Sequence, residues 1–496
     1  MRKRLIWGSL FFMLLAVQAH AATYYVRNGG DDSQDGRSHA TAWASLKKVN
    51  SFSFSAGDVV LLHEGSVWKG GRLFVDWSGT STAHAVVGAY YLDAGTPKRG
   101  YKTARPMLDG EDKIPTQYEA LVFVTGSRVR IENLAVVNSE GRGVTFSKGA
   151  GNQAAGLYVS NTWDCGLAFI DSPDPLAENN HIMEADRRKY EGNKNWCSAL
   201  AIIRSDRAVV RRNLVERSYG EGININYGSR DAVVEDNRVF AVRAVGIYVD
   251  SAPNTTVRRN IVLGTSNSQY WRYAKTVGPG IALNTEPYSH VEGGGKLPTS
   301  VQSTNVHVYD NLVAFTGHGV AIWGGIPNTN LSGTLIYNNT FVDNGVQFST
   351  TGEPMSNSVL ANNILLSISE GTQDVYNTAS GLTTRNNYYS QGDPGGRYSH
   401  SGNRYSGLQL AKMSGWRAID SHDDVAPSHF APMEVSTTNG AGYDGHLATA
   451  ASKDAFHLDF NANPHNKPMD LGAIRFGASA GPKTPKGPAA LGAQAQ

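Results

Sequence analysis

The chain has 496 residues, 40% of them apolar and 18% charged, which is enough for one large continuous core or two ordinary domains. Its formal charge is +2, falling to −1 once Arg2, Lys3 and Arg4 are set aside, so no basic domain remains to favour nucleic acid as a partner. Glycine (54) far outnumbers proline (19), a balance that suits many tight turns.

The first 21 residues read as a secretory signal peptide. Arg2, Lys3 and Arg4 precede an apolar run from Leu5 to Val17, and Ala19-His20-Ala21 forms a small-x-small cleavage site. That run is shorter than the ~20 residues needed to span a bilayer, so no membrane span is expected and the protein is placed outside the cytoplasm, secreted or periplasmic. Such a compartment permits a disulfide between Cys165 and Cys197; two buried free thiols are the other reading.

The mature chain opens TYYVRNGGDDSQDGRSHATAWASLKKVN. A short strand over Tyr24–Val26 leads into an Asp/Gly turn region, and Ala42–Val49 has helical spacing with Trp43, Leu46 and Val49 on one side. A helix there would cap an open end of a stack. Asp31, Asp32 and Asp35 superficially resemble a calcium loop, but the spacing and terminal Glu are missing, so the segment reads as a solvated turn. Strands follow at GDVVLLHEG from Gly57 and AVVGAYY from Ala85, and Pro106-MLDG marks entry to the repeats.

From there a short unit recurs. Aligned on Ala120, Gly143, Gly166, Ala199, Gly222, Gly246, Gly280, Gly319 and Gly345, the spacings are 23, 23, 33, 23, 24, 34, 39 and 26. The basic period is 23 to 26 residues, with three insertions, lying between Asp171 and Trp196, Gly264 and Gly278, and Glu286 and Thr304. Such a period predicts a solenoid whose coils bury their apolar sides only against neighbours. Each anchor opens an alternating run. Ile223 and Ile225, Ile247 and Val249, and Ile281 and Leu283 fall on one face, while Asn224 and Asn226, Tyr248 and Asp250, and Asn284 fall on the other. A second column, Asn133, Asn213, Asn237, Asn260, Asn311, Asn339, Asn363 and Asn387, falls at turns and reads as stacked structural asparagines. The expected organisation is a cap with the first coils over residues 22–105, repeats over 106–390, an irregular capping segment over 391–477 ending in DLGAIRFG, and a disordered Ala/Gly/Pro/Lys tail over 478–496.

The mature start, the later GDVVLLHEGSVWKGG, repeats such as VVEDNRVFAVRAVGIYVDS and VRRNIV, and the closing DLGAIRFG together cover most of residues 23–477. On these the chain resembles the secreted right-handed parallel β-helix proteins of the pectin-lyase-like superfamily. The resemblance implies an all-β right-handed parallel β-helix acting on polysaccharide. Many members of that superfamily are polysaccharide lyases, others glycoside hydrolases or uronate C5-epimerases, and some only bind, so fold alone does not choose among them.

A candidate site follows from the repeats themselves. Four residues past each anchor, Asn226, Asp250 and Asn284 fall on consecutive coils, with Asn224 and Tyr248 two residues earlier and Asp171, Arg204 and Tyr227 at the next position. The insertions carry His181 and Arg187, then Tyr270, Trp271, Arg272, Tyr273 and Lys275, then Glu286, Tyr288 and His290, and would wall that patch. Aromatic walls suit sugar faces and cations suit carboxylates, so an acidic, uronate-containing polysaccharide is the expected partner of a monomer. β-Elimination would take its base from Lys275, Arg272, His290 or a tyrosine, with Asn226, Asp250 and Asn284 holding the carboxylate. Asp250 and Glu286 would be the oxygen ligands if calcium were used. Hydrolysis would need a carboxyl pair, for which Asp250 with Glu286 is available one coil apart; with no clustered Asp pair in the sequence, a lyase acting by β-elimination is the expected enzyme and a hydrolase ranks below it.

Overall fold

The computed structural model describes residues 21–190, 197–272, 275–286, 301–324, 329–367, 372–385 and 387–389. The expected signal peptide, apart from Ala21, and the expected segments beyond 390 lie outside these residues. Among the described residues the chain winds into a solenoid of three parallel sheets of 14, 12 and 11 strands. Each coil gives one short strand to each sheet. In one coil these are Val209–Arg211, Leu214–Glu216 and Glu221–Asn226, and in the next they are Val233–Glu235, Arg238–Phe240 and Ile247–Asp250. Among the described residues the strand pairing is parallel except where Thr96–Arg99 folds back on Ala85–Asp93 and at the isolated bridge between Arg272 and Thr276.

The alternation predicted from sequence is the winding rule. Val210, Val215, Ile223 and Ile225 point into the tube and are fully buried, as are Val234, Ile247 and Val249 one coil on. Each such side chain contributes about 1.5–3 kcal/mol by leaving water, but only because the neighbouring coil covers it.

Glycine opens many runs because the coils nearly touch there. A Cβ on Gly222 would lie 2.3 Å from the carbonyl oxygen of Gly246, and backbone cannot step aside. The register confirms seven of the nine predicted anchors. Val144 pairs with Val122, so Leu121 rather than Ala120 stands opposite Gly143, and Val320 pairs with Phe348, so Gln347 rather than Gly345 stands opposite Gly319. Gly345 instead packs against Gly317 of the preceding coil.

The asparagine column is real but divides in two. The ladder starts at Asn180, and from Asn213 to Asn387 each Oδ1 accepts both the backbone N–H and the side-chain N–H of the asparagine one coil before, at 2.9–3.0 Å. Asn133 is not part of this ladder. It stands one position earlier, with φ +57°, in register with Gly156, Asn179 and Arg212. The ladder therefore satisfies buried amides, while the position before it supplies the left-handed turn.

At the N-terminal end the helix is shorter than predicted, Leu46–Ser51, with Ser45 capping it by accepting from Lys48 N. Asp32 accepts the N–H groups of Ala44 and Ser45, which holds Trp43 extended beside Val26 instead of in the helix. Trp43, Leu46 and Val49 are nonetheless all buried against the first coil.

The insertions leave the tube at its corners. The first is narrower than expected, because Leu176–Glu178 and His181–Met183 are ordinary coil strands and only the part containing the helix Arg187–Tyr190 departs. It and the second insertion rise where the 12-stranded sheet turns into the 11-stranded one. The third leaves at the far end of the 11-stranded sheet, after Glu286, and residues 287–300 are outside the described set. Cys165 and Cys197 are joined as a disulfide with Cα atoms 5.3 Å apart, tying the first insertion to the preceding coil.

Candidate active site

The outer face of the 11-stranded sheet carries the site. Asn226, Asp250 and Asn284 are direct neighbours across three parallel strands, and Asn224 stands opposite Tyr248 in the same way. The alternation that buries Ile223 and Ile225 places these polar groups outside. Glu221, which opens its strand in register with Ser198, adds a carboxyl to the same face.

These groups are bonded to one another. Glu221 Oε2 accepts from Ser198 Oγ at 2.8 Å and from Asn224 Nδ2. Asp250 Oδ1 accepts from the backbone N–H of Glu286 at 2.9 Å and from Ser251 Oγ at 3.0 Å. Glu286 Oε1 accepts from Tyr248 Oη at 2.8 Å and Asn284 Nδ2 at 3.0 Å. Asn284 also donates to Tyr248 Oη, closing a triangle of side chains over two coils.

Burial makes ionising these acids costly. Asp250 is pushed up to about 8, first by desolvation and then by the carboxylate of Glu286. Glu221, partly exposed as a residue but with its carboxyl closely surrounded, is pushed up to about 7 by desolvation, with Glu286 adding to the rise and Arg272 opposing it. Tyr248 is held well above the usual tyrosine range by burial and by the same acids. Two carboxyls thus hold protons near neutral pH beside a third, exposed one. Strong perturbation by burial together with named charge partners is the mark of a candidate catalytic cluster.

The predicted calcium ligands Asp250 and Glu286 both lie on this face, and each already accepts hydrogen bonds. Calcium takes about six to eight oxygens. Among the described residues, the acids around Asp250 do not bring three ligand atoms together. The Oδ1 atoms of Asn224 and Asn226 are buried on this face and have no hydrogen-bond partner among the described residues, acceptors suited to a sugar hydroxyl.

The other predicted residues divide between two places. Trp271, Arg272 and Lys275 line a cleft of about 670 Å³ at the corner beside the sheet, together with His318 and Asp343. Arg272 is the link, close enough to Glu221 to act on its charge. His318 is neutral at neutral pH, its value lowered by burial, and its Nδ1 is 2.8 Å from Ser349 Oγ. Arg204 is engaged by Asp171, Nε to Oδ1 at 2.6 Å and Nη2 to Oδ2 at 2.9 Å, and Tyr227 packs on the apolar patch around the disulfide. Tyr273 and His290 lie outside the described residues. His181 sits on the 12-stranded sheet, Nε2 2.9 Å from Glu216 Oε1, away from this face.

Glu221 and His318 were not singled out from sequence. Both occupy the position just before an anchor glycine, where the bend interrupts period two and alternation no longer says which way a side chain points.

A family model for right-handed β-helix regions matches residues 114–262 and 188–295. With the winding described above, the chain is a right-handed parallel β-helix protein, as the resemblance to pectin-lyase-like proteins implied. No curated protein matches it in sequence. Among solved structures it is similar in fold to a rhamnogalacturonan lyase, at 15% identity and TM-score 0.52, covering 79% of this chain and 92% of that one. It also aligns with a pectate lyase, at 14% identity and TM-score 0.49, over 92% of this chain and 97% of that one. A lacto-N-biosidase from Eubacterium ramulus aligns at 14% identity and TM-score 0.49, over 73% of this chain and 68% of that one. No helix among the described residues is long and apolar enough to cross a membrane.

Proposed function

We propose that the protein cleaves a polysaccharide on the outer face of the 11-stranded sheet, by hydrolysis, with Glu221 as proton donor and Glu286 as the opposing carboxylate. The observation that carries this reading is the cluster of Glu221, Asp250 and Glu286 around Tyr248. Glycoside hydrolysis uses one carboxyl that keeps its proton and one that does not. Glu221 fills the first role because burial raises it to about 7. Glu286 fills the second at the exposed end of its strand. Asp250 fixes Glu286 through its backbone N–H and is a positioning residue. Glu221 gives its proton to the glycosidic oxygen as the bond to the anomeric carbon breaks, and water, directly or after a covalent intermediate on Glu286, completes that carbon.

A second reading, β-elimination on a uronate chain, has its own support in the cleft. Arg272 and Lys275 would neutralise the uronate carboxylate, and the neutral imidazole of His318 would accept the C5 proton.

One assay separates the two readings. The purified protein is incubated with alginate, pectate, glycosaminoglycans and neutral galactans, and both reducing ends and ultraviolet absorbance of unsaturated sugars are followed. Hydrolysis yields reducing ends with no absorbance and is lost in Glu221→Gln. Absorbance rising with the reducing ends selects elimination, and binding without either signal makes the protein a glycan-binding module.

A further inference from the structure

We infer that Trp323 is a sugar-stacking platform beside the carboxyl cluster, so that the bound glycan runs along the solenoid axis across successive coils toward the C-terminal end. This rests on the proposed site for its place but not on which bond is broken there.

Trp323 pairs with Asn284 in the next strand, which places it on the same outer column as Asn226 and Asp250. Its ring packs back onto the preceding coils. It leans back across Ala282 to lie near-parallel to Tyr248, with ring centroids 5.7 Å apart and planes 29° apart. Tyr248 and Trp323 belong to coils two apart, and contact is made only because the intervening residue is alanine. A larger side chain at 282 would lift the indole.

The strand end that carries Trp323 is held firmly. Glu353 accepts from the backbone N–H of Gly324, and from Thr351 through both N–H at 3.1 Å and Oγ1 at 2.8 Å. The ring is partly exposed, whereas Tyr248 beside it is buried. A partly exposed indole beside buried acceptors presents the apolar surface on which the C–H face of a sugar ring packs. On the other side of the cluster the next two coils hold Ala168, Ala201, Ile170 and Ile203 in the same columns, with Tyr227 packed against that patch.

The test uses the full chain with the inactivating Glu221→Gln change, so that affinity is read without turnover. Oligosaccharides of alginate, pectate, a glycosaminoglycan and a neutral galactan are titrated while tryptophan emission and heat are followed. Binding is expected to change the emission. With Trp323→Phe that change should disappear while most affinity remains, and Trp323→Ala should weaken binding about tenfold. In the otherwise unaltered protein Trp323→Ala should raise KM and leave kcat nearly unchanged. Equal affinity in Trp323→Ala with the melting temperature intact, or binding by none of these glycans, overturns the proposal. Trp323-dependent binding by a protein that cleaves nothing overturns the hydrolytic reading alone.

Discussion

The backbone N–H of Glu286 donates to Asp250 Oδ1 at 2.9 Å, joining residues 36 positions apart that sit on successive coils. The bond ties the exposed carboxyl of one strand end to a buried carboxyl of the next, and the chemistry of the face depends on it. Burial favours a proton on Asp250, and the neighbouring carboxylate of Glu286 adds to that preference.

The proton donor is tested by pH. Glu221 titrates near 7, so cleavage should fall as pH rises through that value. Glu221→Gln should lose roughly 100- to 10,000-fold in kcat with little change in KM. A rate that keeps rising above that value in the native protein would assign the proton to another group.

Asp250 links the site to stability. Its carboxyl titrates near 4 when unfolded and near 8 when folded, so the folded protein holds the extra proton between these values. Its contribution is therefore fully present at low pH and is lost as pH rises through the folded value. Asp250→Asn should flatten the decline in melting temperature between about pH 4 and 8, and an unchanged slope would show that the carboxyl is not held protonated.

The cleft cations distinguish substrates. Arg272→Gln and Lys275→Gln should raise KM for uronate-containing chains several-fold and leave KM for neutral chains unaltered, as initial rates on the two classes will show. Equal effects on both classes would mean that these side chains shape the corner only.

The asparagine ladder can be broken in its middle. Asn260 donates to Val234 O and Asn311 Oδ1 and accepts from Asn237. Asn260→Ala removes the acceptor of the buried Asn237 backbone N–H and the donor to Val234 O, while Asn311 Oδ1 keeps the backbone N–H of residue 260, and should cost on the order of 3 kcal/mol, measured by denaturant unfolding. Asn133→Ala, at a left-handed turn outside the ladder, should cost less.

Gly222→Ala tests the close approach of coils next to the site. The added methyl would meet the Gly246 carbonyl at 2.3 Å, so the strand that carries Glu221 must move. Activity should fall by more than the melting temperature alone would explain.

Repetition made the architecture legible without a structure. Alternation in runs such as Gly222-ININ and Gly246-IYVD determines which side chains enter the tube, because a strand has period two. The recurrence of 23 to 26 residues places Asn226, Asp250 and Asn284 side by side, because each coil must lie on the last. What repeats could be read; what departs from the repeat could not. Glu221 and His318 precede the bend glycines, where the alternation is broken, so only the folded chain shows that both face outward. The ladder asparagine and the left-handed turn residue are adjacent in sequence, and only hydrogen bonding separates Asn133 from Asn180. Local pattern also could not show that Arg204 is engaged by Asp171, or that Trp271, Arg272 and Lys275 form a cleft at the corner instead of a wall over Asp250. Those outcomes depend on the path of an insertion after it leaves the tube, and no neighbouring coil imposes that path in advance.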